Sequence, residues 1–271
     1  MANVSRETDF TIPVPEQTRR VVVANQKGGV GKTTTAVNVA SALAREGHKV
    51  LLIDMDPQGN ASTALGIEHS PGTKGTYEVL IGHESIADLA QTSPESENLK
   101  VLPATVDLSA SEIELVSMIA REQRIAQALK DYEESNDVDW VFFDCPPSLS
   151  LLTVNAMVAA SELLIPIQTE YYALEGLTQL MHTISMIRQN LNPNLRVTGI
   201  LLTMYDARTK LSSQVAAEIA KHFPDQIIKT VISRSVRISE APSYGQTILE
   251  YDPKSVGAKA YRKVAYELST R

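Results

Sequence analysis

Val21-Val22-Val23-Ala24-Asn25-Gln26-Lys27-Gly28-Gly29-Val30-Gly31-Lys32-Thr33-Thr34-Thr35 changes character twice within fifteen residues. The apolar, β-branched start suits a strand buried on both faces. Glycines follow at 28, 29 and 31, and then Ala36, Val39, Ala40 and Leu43 recur at helical spacing until Gly47 ends the run. Strand, glycine loop and helix in that order place a loop at the carboxyl end of a strand, where α/β proteins bind ligands. Glycines let successive backbone N–H groups point inward around phosphate oxygens, and the helix N-terminus adds partial positive charge. The loop residues Lys27, Gly28, Gly29, Val30, Gly31, Lys32, Thr33 and Thr34 are therefore the candidate nucleotide-binding set. Within it, Lys32 reaches the β/γ-phosphates and the Thr33 hydroxyl ligates Mg²⁺.

Val50-Leu51-Leu52-Ile53 supplies a second buried strand, which runs into Asp54-Met55-Asp56-Pro57-Gln58-Gly59-Asn60 and closes a βαβ unit. The alternation continues. A helix over 109–130 precedes the strand Trp140–Phe143, and a helix over 151–160 precedes the strand 163–167. A longer helix over 174–191 leads to a strand over 197–203, a helix over 212–222 leads to a strand over 227–232, and 255–268 forms the last helix. Residues 62–106 read as loops and short elements. Without a linker-like break or an internal repeat, this spells one α/β domain over 20–271: a doubly wound, mainly parallel sheet with helices on both faces. Residues 1–19, polar and carrying Pro13 and Pro15, read as a flexible tail.

Composition bounds the function. With 43% hydrophobic and 21% charged among 271 residues, the chain is an ordinary globular protein, and collagen-like and low-complexity classes are out. The formal charge of -7 argues against a nucleic-acid surface, but it is unevenly spread. Residues 1–180 hold 12 Lys and Arg against 25 Asp and Glu, net -13, and residues 181–271 hold 13 against 7, net +6. A basic face on the C-terminal third follows. The single cysteine, Cys145, excludes an internal disulfide and a four-thiolate metal site and reads as a small buried filler. No signal peptide and no span of about 18 apolar residues is visible, so a cytosolic protein is expected.

Three aspartates end apolar strands on the ligand side. Asp54 and Asp56, two apart, leave their strand on one face, and Asp144 follows Trp140–Phe143. The general phosphate-loop pattern has a glycine six residues before the lysine, where this chain has Gln26, with Lys27 next to it. This variant resembles the deviant Walker A motif, K-G-G-x-G-K-[ST], of the ParA/MinD/nitrogenase-iron-protein group of ATPases. By that resemblance Lys27 acts across a dimer on the other subunit's nucleotide, and Asp56 supports the attacking water. Asp144 looks like the Walker B aspartate that holds Mg²⁺ through water, and Asp54 supports the metal and water region. Lys27, Lys32 and Asp56 are then the catalytic set, and Thr33, Asp144 and Asp54 the metal set. No guanine-reading N-K-x-D segment is present, so ATP with Mg²⁺ is the expected ligand, and catalysis is positioning and electrostatics around in-line attack by water.

The resemblance covers almost the whole chain and is to ParA/Soj-type partition ATPases in particular. It runs through Asn25–Thr35, Asp54–Asn60, Asp144–Pro147, Gln168–Tyr171, Thr203–Thr209 and Val236–Pro242. It implies an ATP-dependent dimerising switch for DNA segregation: an ATP-bound homodimer binds double-stranded DNA without sequence preference, and a ParB-type partner stimulates hydrolysis and release at the nucleoid. The family's DNA-binding arginines correspond to Arg208 and Arg237, both in the net +6 segment, and Lys210, Lys229, Arg234, Lys254 and Lys259 widen the patch. Where members often carry Pro-x-Asn against the nucleotide base, this chain has Ser233 and Ser235. The alternative is a MinD-like membrane-associated ATPase, which would need an amphipathic C-terminal helix with bulky apolar residues. The stripe Val256, Ala260, Val264 and Leu268 instead suits packing against the sheet, and no membrane partner is expected. An iron-protein-like electron carrier needs two cysteines. The five histidines form no constellation that would support chemistry on a small metabolite.

Overall fold

The computed structural model describes residues 11–271. β1 (Arg19–Val23) leads through the glycine loop into α1 (Lys32–Arg45) and β2 (Val50–Asp54). Short elements follow: α2 (Asn60–Ala64), α3 (Thr76–Ile81), α4 (Ile86–Leu89), β3 (Gln91–Thr92) and β4 (Leu99–Leu102). Next come α5 (Leu108–Leu115), α6 (Arg124–Ser135), β5 (Trp140–Asp144), α7 (Leu151–Ala159), β6 (Glu162–Gln168), α8 (Ala173–Asn190) and β7 (Arg196–Thr203). The chain ends with α9 (Lys210–His222), α10 (Val236–Glu240), a 3-10 turn at Ala241–Tyr244, α11 (Ile248–Tyr251) and α12 (Val256–Ser269).

The strands form one sheet in the order β3-β4-β2-β5-β1-β6-β7, parallel except where β3 meets β4. Strand side chains alternate between two apolar layers. Val22, Leu51, Ile53, Val141 and Phe143 face the layer built by α5 to α9, whereas Val21, Val23, Val50, Leu52, Trp140 and Phe142 face α1 and α12. Each fully buried side chain of this size contributes about 1.5–3 kcal/mol. Continuing the second series puts Asp54 and Asp144 on the α1 side, and they are register partners on adjacent strands. β1 lies between β5 and β6, so the chain leaves it in one direction toward β2 and later continues in the other toward β6. That reversal opens a crevice at the carboxyl ends of the central strands.

The last helix packs inward, as expected. Ser255 caps it by accepting the Ala258 amide, and Ala258, Tyr261, Val264, Ala265 and Leu268 are buried. Val256, expected in the buried stripe, is 76% exposed. Among the described residues no helix is long and apolar enough to cross a membrane.

Three local expectations are corrected. The strand expected over 227–232 is an extended segment that meets β7 in a single isolated bridge, Ile200 with Ile227, and through the Ile228 and Ile232 amides, which donate to the Ile200 and Leu202 carbonyls. Its middle amides, Lys229 and Thr230, donate to the Glu267 carboxylate at 2.8 and 3.0 Å instead of to a ladder. The helix expected over 109–130 is two helices. Ala120 takes φ 52°, and Asn155 of α7 binds the Arg121 carbonyl and the Ile125 amide inside the break. The stretch 62–106 holds loops and short elements as expected, among them β4, which pairs in parallel with β2. Of the tail expected over 1–19, residues 1–10 lie outside the described residues and the rest is anchored. Ile12 is buried in the α1-side layer, the Thr18 hydroxyl donates to the Val138 carbonyl at 2.7 Å, and Arg19 already belongs to β1.

Candidate functional site

The glycine loop is built by side chains that grip its backbone. Asn25 donates to the Pro166 carbonyl at 2.8 Å and accepts the Lys27 amide at 3.0 Å, which turns the chain out of β1. Gly29 and Gly31 hold φ of 71° and 87°, where a side chain would be strained. Between them Val30 is buried, and its carbonyl accepts the Thr203 hydroxyl of β7 at 2.8 Å. Gly31 is the N-cap of α1 and has no side chain to cap it. The first N–H groups of the helix therefore stay available to an anion. Lys32 is 7% exposed and lays its ammonium against the Lys27 carbonyl at 3.1 Å. Burial pushes its pKa down, and Asp144 and Asp56 oppose that shift. Lys27, ahead of the loop's glycines, is half exposed and paired with Glu170.

The three aspartates do different things. Asp54 is fully buried, and both of its oxygens are committed: one accepts the Asp56 amide at 3.1 Å, the other the Ser62 amide and hydroxyl at 2.9 and 2.8 Å. Burial pushes its carboxyl up to about 6 against those hydrogen bonds. Asp54, expected to support the metal and water region, braces the turn that carries Asp56. Asp56 lines the cavity with one oxygen held by the Gln58 amide at 3.0 Å. Asp144 is also fully buried, yet no donor meets either carboxylate oxygen in good hydrogen-bond geometry, and the Thr33 hydroxyl only approaches it. Burial and the Asp54 carboxylate push its pKa well above the usual range, and the nearby Thr33 hydroxyl and Lys32 ammonium pull it down.

An unpartnered buried carboxylate beside a threonine hydroxyl and a phosphate loop fits a divalent cation. Among the described residues no cluster of three or more His, Cys, Asp or Glu forms an all-protein cage. That suits Mg²⁺, which takes one or two protein oxygens and completes its shell with phosphate oxygens and water.

Gly28, Gly29, Gly31, Lys32, Thr33, Thr34 and Asp56 line a cavity of about 490 Å³ together with Val37, Asn38, Met204, Ile238, Ala241, Pro242, Gln246 and Ile248. Ser233 and Ser235, expected at the base, do not line it. Ser233 bridges Tyr205, and Ser235 precedes α10 as its N-cap. The apolar wall comes from α10 and the following turn, a role sequence reasoning missed. A second missed feature fixes that wall to α1. Asn38 accepts the Ile248 amide at 2.9 Å and donates to the Thr34 carbonyl at 2.7 Å. Nearby, the buried Glu95 carboxylate accepts the Ser41 and Thr247 hydroxyls at 2.7 and 2.8 Å. The available signal was polar Asn38 and Ser41 on the buried side of an otherwise apolar helix.

The basic residues sit apart from the loop. Arg208 follows β7 and Arg237 lies on α10, both exposed. Lys210, Lys229, Arg234, Lys254 and Lys259 are exposed as well. Cys145 is buried, and burial pushes its thiol well up, which suits a filler.

A family model described as an AAA domain matches residues 18–197. The chain is 49% identical over 249 residues to the sporulation initiation inhibitor protein Soj of Bacillus subtilis, covering 92% of this chain and 97% of that one. It is 50% identical over 253 residues to the chromosome partitioning protein ParA of Caulobacter vibrioides, covering 93% and 94%. Among solved structures it resembles a cobyrinic acid a,c-diamide synthase from Mycobacterium smegmatis with bound ADP and magnesium. The TM-score is 0.79 and the identity 36%, over 92% of this chain and 93% of that one.

Proposed function

The chain belongs to the ParA/Soj family of P-loop ATPases, and from that premise we propose that it is an ATP-driven switch for DNA segregation. Closure is a homodimer in which Lys27 of each copy serves the other's nucleotide. The closed form binds duplex DNA without reading bases, through Arg208 and Arg237, on the nucleoid in the cytoplasm. A ParB-type partner then triggers hydrolysis and release.

The observation that carries this reading is the loop with Lys32 buried inside, Lys27 ahead of its glycines and an unpartnered Asp144 behind. Thr33 and Asp144 would hold Mg²⁺, and the ion would supply charge neutralisation on the phosphates. Lys32 and the open amides of α1 bind the β/γ-phosphates, and Asp56, braced by Asp54, orients water for in-line attack. Guanidinium groups suit phosphate contacts because they stay charged and present a planar fork. Such contacts position the protein on DNA without carrying sequence information.

Chemistry on an organic acid, suggested by the name of the Mycobacterium smegmatis structure, has no specific support. A second cavity, of about 450 Å³, lies at the amino ends of the strands around Arg20 and Ser161, away from the phosphate loop. A membrane role lacks its helix face, since the apolar residues of α12 other than Val256 are turned inward.

DNA retention measured against salt with ADP, with ATP, and with ATP on the Arg237→Glu variant tests the switch. Expected are retention with ATP, loss with ADP and loss in the variant. Equal retention with both nucleotides removes the switch, and unchanged retention in the variant removes the assigned surface.

A further inference from the structure

The two arginines assigned to DNA are not equivalent. Arg208 lies 89% exposed in a closed fork with Asp206: Nε and Nη2 donate to the two carboxylate oxygens at 2.9 and 2.8 Å. The same carboxylate accepts the Arg208 amide at 3.0 Å, so a local turn sets the pair in place. The carboxyl of Asp206 is held down to about 2 by hydrogen bonds from Arg208, with Arg234 adding to the effect. Arg237 is held loosely. Its Nε stands 4.0 Å from Asp252, and its guanidinium sits 5.9 Å from the Tyr251 ring.

A guanidinium carries five N–H donors, and Asp206 takes the Nε/Nη2 edge of Arg208 while the outer edge stays open. The carboxylate therefore competes with a DNA phosphate for the side-on fork and offsets the positive charge, so the surface presents a neutral pair where composition counts a cation. At Arg237 the fork is largely open, with the Tyr251 ring face below the guanidinium.

We propose that Asp206 is a built-in competitor for the DNA phosphate at Arg208. It weakens each chain's hold on DNA, so that binding depends on two chains acting together. This rests on the DNA-binding reading above and deepens it: Arg237 makes the standing contact, and Arg208 is a conditional one whose availability Asp206 sets. Multivalent binding of this kind is steep in the number of engaged chains, because individually weak contacts combine through effective concentration.

Asp206→Asn is the clean perturbation, because an asparagine oxygen still accepts the Arg208 amide while the charge disappears. A random-sequence duplex on a sensor surface, full-length protein with ATP and a salt titration give the readout. Asp206→Asn is expected to tighten retention by about 1.5- to 5-fold per chain engaged, the range of an exposed ion pair. The log–log salt slope should steepen by about one per added phosphate contact. Asp252→Asn should change retention less, since its carboxylate stands farther off. Placed in an Arg208→Ala background, Asp206→Asn should lose its gain, and matching melting temperatures check that the turn is intact.

An unchanged Asp206→Asn overturns the inference while leaving ATP-dependent DNA binding standing. A gain that survives in the Arg208→Ala background overturns it too, since general charge would then account for the effect. A wild-type chain not retained with ATP removes the DNA reading and this inference together.

Discussion

Thr203→Val isolates one hydrogen bond of the phosphate loop. Thr203 is 2% exposed at the end of β7 and its hydroxyl donates to the Val30 carbonyl at 2.8 Å; Val30 itself is 1% exposed. Valine keeps the shape and removes the donor, and no water reaches the carbonyl to replace it. A buried carbonyl left without a partner costs about 1–3 kcal/mol, and a new buried methyl offsets part of it, so about 1–2 kcal/mol is expected. That free energy divides between two measurements according to what the loop does without nucleotide. If the loop stays built, the whole fold bears the loss and the melting temperature falls by roughly 2–8 °C at this chain length. If the loop lets go, ATP must rebuild it and the dissociation constant rises about 5- to 30-fold. Calorimetric melting and a fluorescent-nucleotide titration on the same preparation read both, with Thr203→Ser as the control that restores the donor. Melting and affinity that both match wild type would refute the view that β7 holds the loop.

Two further outcomes follow from the site and its frame. Asp56→Ala should still bind ATP and dimerise, with turnover down at least about 100-fold, read by phosphate release and size-exclusion chromatography; normal turnover ends the role given to Asp56. Arg19→Met should destabilise the fold by about 1–3 kcal/mol, because Glu162 is buried and takes both arms of Arg19 at 2.7 and 2.6 Å, while Arg196 at 3.3 Å keeps part of its charge compensated. Burial raises the Glu162 carboxyl, but Arg19, helped by Thr198 and Arg196, outweighs it and holds the pKa below the ordinary 4.5. Such a depressed acid contributes stability above its unfolded pKa and loses it as pH falls through the folded one. The gap between wild type and Arg19→Met in urea denaturation should therefore narrow as pH falls below the ordinary 4.5 of a glutamate, and a gap that does not narrow under acid counts against the pairing.

The phosphate loop is legible in sequence because its constraints are local: left-handed backbone at Gly29 and Gly31, a strand before them and a helix after. The parallel sheet is legible for the same reason, since Val21–Val23, Val50–Ile53 and Trp140–Phe143 are buried on both faces and need no alternation. Features that depend on distant partners are not. The 227–232 segment has strand composition, yet Glu267 from the last helix takes the amides a ladder would need. Leu99–Leu102 looks too short and too polar beside Lys100 to rank as a strand until β2 lies next to it. Ser233 and Ser235 fall at the right place in the chain for a base contact, but the cavity wall is delivered by α10 and the turn after it. Asp54 and Asp144 read alike as strand-end acids. What separates them is that Ser62, eight residues past Asp54, folds back to fill one of them and leaves the other bare.

α10 is five residues long, and neighbouring positions on it face opposite ways: Ile238 lines the nucleotide cavity while Arg237 projects into solvent. Gly257 of α12 presses against Ile238 from behind, closely enough that a methyl there would sit 2.8 Å from its Cδ1. Cavity wall and outer basic surface are thus adjacent positions of one five-residue helix, with no room on the α12 side for Ile238 to retreat. A substitution that displaces this helix moves both faces at once.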